Sequence, residues 1–300
     1  PDGRNHRNRS WNRTDQSVSH KTRLMTAAKA RTQTSLRRSF LFGVVAMVSL
    51  LVVACGAGGD ETLTFTFEVG DSPTLLVGTG RGDVLVQTGP DGVITVRSEV
   101  TAKDNVALDV TADGDVVTAR SVTTVSGNLF GDTAEGSVDF TFTVPPETVI
   151  EVGAGDGAVS IEDVQVGGKV SSSQGTVTLS RVSGDFLGGS GTGDVTITKS
   201  SGSFQFTVGV GAIRFDGKLS ARGASEFVTG IGDVIVSIPE TMGLDITAEA
   251  LTGIVLSDLT LMDEVSTSTA NGEHLSGILG DGSAKLSIAV GTGTADIRGR

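Results

Sequence analysis

Gly191-Thr192-Gly193-Asp194-Val195-Thr196-Ile197 is either one glycine-rich loop or one copy of a repeat, and that choice decides the fold. Four other stretches settle it as a repeat. They are Gly155-Asp156-Gly157-Ala158-Val159-Ser160-Ile161, Gly175-Thr176-Val177-Thr178-Leu179, Gly209-Val210-Gly211-Ala212-Ile213-Arg214-Phe215 and Gly230-Ile231-Gly232-Asp233-Val234-Ile235-Val236. Gly157, Gly175, Gly193 and Gly211 follow one another at a constant interval, and only the step from Gly211 to Gly232 is longer. A fixed period of this size marks a solenoid. Each unit reads glycine, a small residue or Asp, Val or Ile, a polar residue, then another aliphatic or Phe. That alternation gives a half-buried strand, aliphatics inward and Ser, Thr or Arg outward.

The other half of each unit supplies a second strand at Val170, Phe186, Phe204 with Phe206, and Phe227. The expected fold is therefore all-β: a single-stranded parallel β-helix or β-solenoid, with coils of about 18 residues and glycine-rich turns. The same theme recurs at Leu244 to Ile246, Gly253 to Leu256, Leu286 to Ile288 and Gly293 to Ile297. Residues 62–145 alternate less regularly, at Leu63, Phe65, Phe67 and Val69 and at Val138, Phe140, Phe142 and Val144, where Pro145-Pro146 ends a strand. A left-handed hexapeptide helix fails, because steps of six from Val159 fall on Gln165 and Ser171. A calcium-binding nonapeptide beginning at Gly188 fails at Gly193, where an aspartate is required.

The composition agrees. The chain has 300 residues, 42 of them Gly, with 4% aromatics and no Tyr. Val, Thr, Ser, Asp and Gly suit short strands and tight turns. Charge divides the chain at its one cysteine: ten Lys and Arg face two acids before Cys55, and 13 bases face 33 acids after it. An acidic body of this kind excludes nucleic acid, whose binding needs clustered Lys and Arg.

Phe40 to Ala54 are fifteen uncharged, mostly apolar residues behind Lys29, Arg31, Arg37 and Arg38, which fits a signal-peptide core better than a membrane span. Leu51-Val52-Val53-Ala54-Cys55 resembles the bacterial lipobox, which implies diacylglyceryl and palmitate chains on Cys55 and a stable membrane anchor. Arg37-Arg38 with Phe40 and Leu41 resembles the twin-arginine export signal. Leu36 and Phe42 depart from it, and both the twin-arginine and the general secretory route stay open. The expected organisation is residues 1–24 upstream of the fold, 25–54 a lipoprotein signal peptide, 55–62 the lipidated Cys with its tether, and 63–300 the β-solenoid domain.

Val138 to Ile161, the run of glycine turns, and Ala284 to Ile297 together resemble the bacterial "putative adhesin" family, over roughly Leu63 to Ile297. The resemblance implies an exported or membrane-associated β protein and supplies no catalytic residues. The expected function is a non-enzymatic, lipid-anchored envelope protein that presents an adhesin-like binding or structural surface. Its expected location is the cell envelope, periplasmic or surface-facing, with cell-wall or extracellular glycan or protein ligands, and without cofactor or metal. The alternative is a polysaccharide-active β-helix enzyme, for which Asp194 and Asp233 are the candidate carboxylates, two coils apart in one turn column with Ala212 between them. Such columns would also suit weak divalent-cation binding. His274 reads as a loop histidine, and Asp163 and Arg181 should face each other on adjacent coils. Arg81-Gly82-Asp83 spells a cell-attachment tripeptide, but Gly80 to Val86 fits the repeat template. It reads as a turn whose value lies in Gly82 and not in the two charges.

Overall fold

The computed structural model describes residues 49–53, 60–124 and 135–300, the first of these as backbone only. Lys103–Asn105 form one 3-10 turn, and the remaining elements are strands, so the protein is all-β. The N-terminal strands are β1 (Ser49–Val53), β2 (Glu61–Glu68), β3 (Thr74–Arg81), β4 (Val84–Thr88), β5 (Val93–Thr101), β6 (Val106–Asp113), β7 (Val116–Thr123) and β8 (Ser137–Val144). The central strands are β9 (Val149–Asp156), β10 (Val159–Glu162), β11 (Gly167–Gln174), β12 (Val177–Ser180), β13 (Ser183–Thr192), β14 (Val195–Val210), β15 (Ile213–Leu219), β16 (Ala224–Ile231) and β17 (Val234–Ile238). The chain closes with β18 (Leu244–Ser257), β19 (Met262–Ser268), β20 (Glu273–Leu279) and β21 (Ala284–Gly299).

Two parallel ladders carry the architecture. The first runs β8–β4–β10–β12–β14–β15–β17–β21–β18 and stacks Phe140, Val84, Val159, Val177, Val195, Ile213, Val234, Ala295 and Val255. The second runs β7–β3–β9–β11–β13–β14–β16–β21–β18 and stacks Ala119, Val77, Val152, Val170, Gly188, Phe206, Phe227, Ile288 and Ala248. From Val159 through Val177 and Val195 to Ile213 the steps along the first ladder are equal, and the step from Ile213 to Val234 is longer. The extra length falls at Ser220–Gly223, a turn closed by the Gly223 N–H on the Ser220 carbonyl.

Pairing is not parallel throughout, and here the expectation of a purely parallel stack is corrected. β1–β2–β5–β8 and β6–β7 pair antiparallel at one end of the ladders, and β18–β20–β19 pair antiparallel at the other. Antiparallel strands supply what a terminal coil lacks, a partner for its outer edge: β5 for β8, β6 for β7 and β20 for β18.

The core lies between the ladders. Phe140, Phe142, Phe186, Phe204, Phe206, Phe215 and Phe227 are at most 2% exposed, so they form the interior and line no open cleft. Phe186, Phe204, Phe215 and Phe227 make a continuous file, with ring centroids 6.2, 5.2 and 5.4 Å apart. Each such side chain contributes about 1.5–3 kcal/mol by burial. Phe65, nearer the N-terminal hairpins, is only half-buried.

Candidate binding faces and the turn column

The turn between the ladders is built from one residue type. Gly82, Gly157, Gly175, Gly193, Gly211, Gly232, Gly293 and Gly253 stand in one column, each with φ between 121° and 155°. At Gly193 (φ 139°) an added Cβ would strike the carbonyl of Gly175 in the coil below, and the same clash recurs along the column. Only glycine combines this φ with so close a backbone approach.

Aspartates of this column tie one coil to the next, Asp83, Asp194 and Asp233 each directly after a turn glycine and Asp139 after Val138. Asp139 Oδ1 accepts the Asp83 N–H, Asp83 Oδ1 the Ala158 N–H, Asp194 Oδ1 the Ala212 N–H and Asp233 Oδ1 the Thr294 N–H, each at 2.8 Å. From inside, the hydroxyls of Ser172, Ser190 and Thr229 donate to the carbonyls of Gly157, Gly175 and Gly211 at 2.8–2.9 Å. Backbone polar groups that a tight turn leaves over are thereby satisfied. The aspartates were legible as turn residues. The hydroxyls were not, because each lies almost a full coil along the chain from the carbonyl it meets, on a different strand.

The tripeptide Arg81-Gly82-Asp83 belongs to this column, and both of its charges are engaged. Arg81 pairs with Glu135 and, at 3.3 Å, with Asp156. Asp83 holds the next coil through Ala158. The expectation that its charge is dispensable is therefore corrected: the Asp83 carboxylate is a coil-to-coil clamp, set at a length a Glu would overshoot.

Asp194 and Asp233 do flank Ala212 in one column, since Ile213 registers with both Val195 and Val234. The Asp194 carboxyl is held below the ordinary carboxylate range, chiefly by the Ala212 N–H and then by Arg214, whose Nη1 lies 2.9 Å from Oδ2. A general acid needs the opposite shift. Asp163 and Arg181 meet in a fork, Nε to Oδ1 at 2.7 Å and Nη2 to Oδ2 at 2.8 Å. The guanidinium holds Asp163 below its usual range. Both residues adopt positive φ, 61° and 55°, as does Lys199 at 53°, so a second corner recurs in three successive coils without glycine.

His274 lies on β20, registered between Glu249 and Thr267, in a shallow hollow with Leu251 and Glu273. Among the described residues no three His, Cys, Asp or Glu gather as metal ligands. Cys55, Arg37 and Arg38 lie outside the described residues.

The outer side of the second ladder is the broadest feature that sequence reading missed. The first glycine of each turn motif lies there: Gly80, Gly155, Gly191, Gly209, Gly230 and Gly291 run along the stack, with Ser173 in the place of a glycine on β11 and Leu251 on β18. Beside them run Gly78, Gly153, Ser171, Gly189, Thr207, Val228 and Ala289. Shallow hollows form along this strip, one at Glu151, Gly153, Lys169, Ser171 and Leu187, another at Val228, Glu249, Leu251, Ala289 and Gly291. The signal is present in the glycine pairs, but turn chemistry alone already accounts for them.

No protein-family model matches the chain, and no curated protein matches it. Among solved structures it is similar to a "putative cell adhesion protein" from Clostridium sporogenes ATCC 15579, at 10% identity and a TM-score of 0.34, over 85% of this chain and 100% of that one. It is also similar to a "putative lipid binding protein" from Parabacteroides distasonis ATCC 8503, at 13% identity and a TM-score of 0.30, over 80% of this chain and 98% of that one. A "putative adhesin" from the same organism is similar at 13% identity and a TM-score of 0.21, with the same two coverages. Likenesses this distant carry no functional argument.

Proposed function

We propose that the chain is a non-enzymatic, lipid-anchored β-solenoid of the bacterial cell envelope, which presents the outer side of its second ladder to an extended ligand. The observation that supports this reading most is the double row of small residues along that ladder. Seven strands, and so six inter-strand steps, make a strip on the order of 30 Å long, where ligand groups reach the backbone directly. Aromatic and aliphatic side chains fill the interior, so what this body offers a partner is its outside. A cell-wall or extracellular glycan, or an extended protein segment, matches a strip of this length and shallowness.

The anchor is Cys55, reached through either export route by way of Arg37 and Arg38. Cleavage before Cys55 would remove β1, an edge strand, and β2 would keep its other partner β5. The cost to the body is therefore small.

Three experiments test the reading. Glycan and cell-wall binding should be abolished in a Ser171→Arg, Thr207→Arg double variant whose melt is unchanged; undiminished binding would remove the strip from consideration. Cys55→Ser should release the protein from the membrane fraction or leave it unprocessed, and unchanged palmitate labelling would refute the anchor. Replacing Arg37 and Arg38 by Lys blocks export only if the twin-arginine route is used.

A further inference from the structure

Gly211, Gly232 and Gly253 are evenly spaced along the chain. The step that sets β17 on β15 would, if repeated, set β18 directly on β16 and β17, bringing Val255 onto Val234 and Ala248 onto Phe227. A different strand occupies that place. β21 puts Ala295 on Val234 and Ile288 on Phe227, and β18 lies one step farther out.

The two strands are built alike. β18 buries Leu244, Ile246, Ala248 and Ala250 before its turn glycine; β21 buries Leu286, Ile288 and Val290 before its own. Gly253 and Gly293 share nearly one conformation, φ 141° and 144°. Each strand therefore fits the upper edge of β16 and β17. β18 reaches it first along the chain, and β21 enters only if β18 stays away or yields.

We propose that β18 and β21 compete for the place above β16 and β17, and that a displaced β21 is taken up by the same slot in a second copy of this chain. An exchanged strand makes in the partner the contacts it makes at home, so only its connection differs. That connection is Gly280-Asp281-Gly282-Ser283, whose glycines sit at φ 60° and 66° and whose Ser283 N–H bonds Asp281 Oδ1 at 3.1 Å. It is a tight turn outside the core, tied to the Gly243 carbonyl by Ser283 Oγ at 3.5 Å, and with it open the sixteen residues of β21 can exchange as one piece once their ladders to β16, β17 and β18 part.

The test uses full-length chains carrying Cys55→Ser. Val228 and Ala289 are registered neighbours on β16 and β21, and Glu249 is the registered neighbour of Ala289 on β18. One chain carries Val228→Cys and the other Ala289→Cys. They are unfolded and refolded together, then treated with a short bismaleimide. Exchange predicts a cross-linked heterodimer that grows with protein concentration, whereas Val228→Cys with Thr178→Cys gives none. A single chain with Val228→Cys and Glu249→Cys reports the competing register, because β21 separates those positions in the described order. Deleting Gly282 and Ser283 should raise the dimer fraction roughly tenfold, since a shortened hinge hinders the return of β21 to its own slot. Absence of heterodimer at every concentration overturns the proposal, as does equal cross-linking in the control pair. A 228–249 link without heterodimer also overturns the exchange, and a hinge deletion that leaves the dimer fraction unchanged counts against this connection as the pivot.

Discussion

The central coils and the two ends of the stack obey the same strand chemistry but different orders. From β10 to β15 each strand lies on the strand one coil earlier in the chain. At the N-terminal end β3 and β4 lie inside β7 and β8, and at the C-terminal end β21 lies inside β18. The outermost parallel strands are thus neither the first nor the last in sequence. Local repeat rules specify which face a residue takes, and they leave the order of stacking to whichever partners are present. In the centre only one order is open, because each coil is followed at once by the next. At the ends a long excursion intervenes: the later strands β7 and β8 are laid outside β3 and β4 at one end, and the later strand β21 is inserted beneath β18 at the other.

The largest expected difference between centre and end comes from glycine. Gly193→Val should forfeit at least about 3 kcal/mol, combining positive-φ strain with a clash against the Gly175 carbonyl. Gly253→Val meets the same strain and strikes Gly293, but no further coil of this column rests on it. It should lose roughly half as much. Urea melts decide; equal losses would erase the distinction between centre and end. Next, Phe204→Ala opens the aromatic file and should cost about 3–5 kcal/mol, while Phe65→Ala, half-buried near the N-terminal hairpins, should cost well under that. Smaller again is Asp83→Glu, which withdraws the acceptor from the Ala158 N–H and should cost about 1 kcal/mol. A thermal melt matching the wild type would return Asp83 to the role of a bystander.

The smallest effect is acid sensitivity of the central coils. Asp163 and Asp194 are both held below the ordinary carboxylate range. A depressed folded pKa contributes stability above the unfolded value, near 3.9, and loses it as pH falls through the folded value. Melting temperature should therefore decline below about pH 4, and Asp194→Asn should flatten that decline. A variant whose pH profile retains the full slope would show that the clamp acts without regard to charge.

Much of this was legible in the residues. The constant step between turn glycines, the second strand at Val170, Phe186, Phe204 and Phe227, the column holding Asp194, Ala212 and Asp233, and the Asp163–Arg181 pair all follow from position within a repeat. What escaped reading lies where position is not enough. Gly253 follows Gly232 at the spacing of a next coil, yet Gly293 stands between them, and no local pattern tells an inserted strand from a consecutive one. The alternation at Leu63 to Val69 identified a strand but not its antiparallel partner Val93–Thr101, since β3 and β4 lie between the two in sequence and no repeat spacing governs that pairing. The glycine strip was hidden by having a sufficient explanation already.

The inserted strand also has a mechanical consequence. A pull that separates the coils along the stack breaks one ladder at a time, as a zipper opens, and meets little resistance. A pull applied at Arg300 acts instead along β21, which is bonded to β16 and β17 on one side and to β18 on the other. The ladders on both sides are then loaded together in shear. The direction of tension alone would decide whether this body peels or grips.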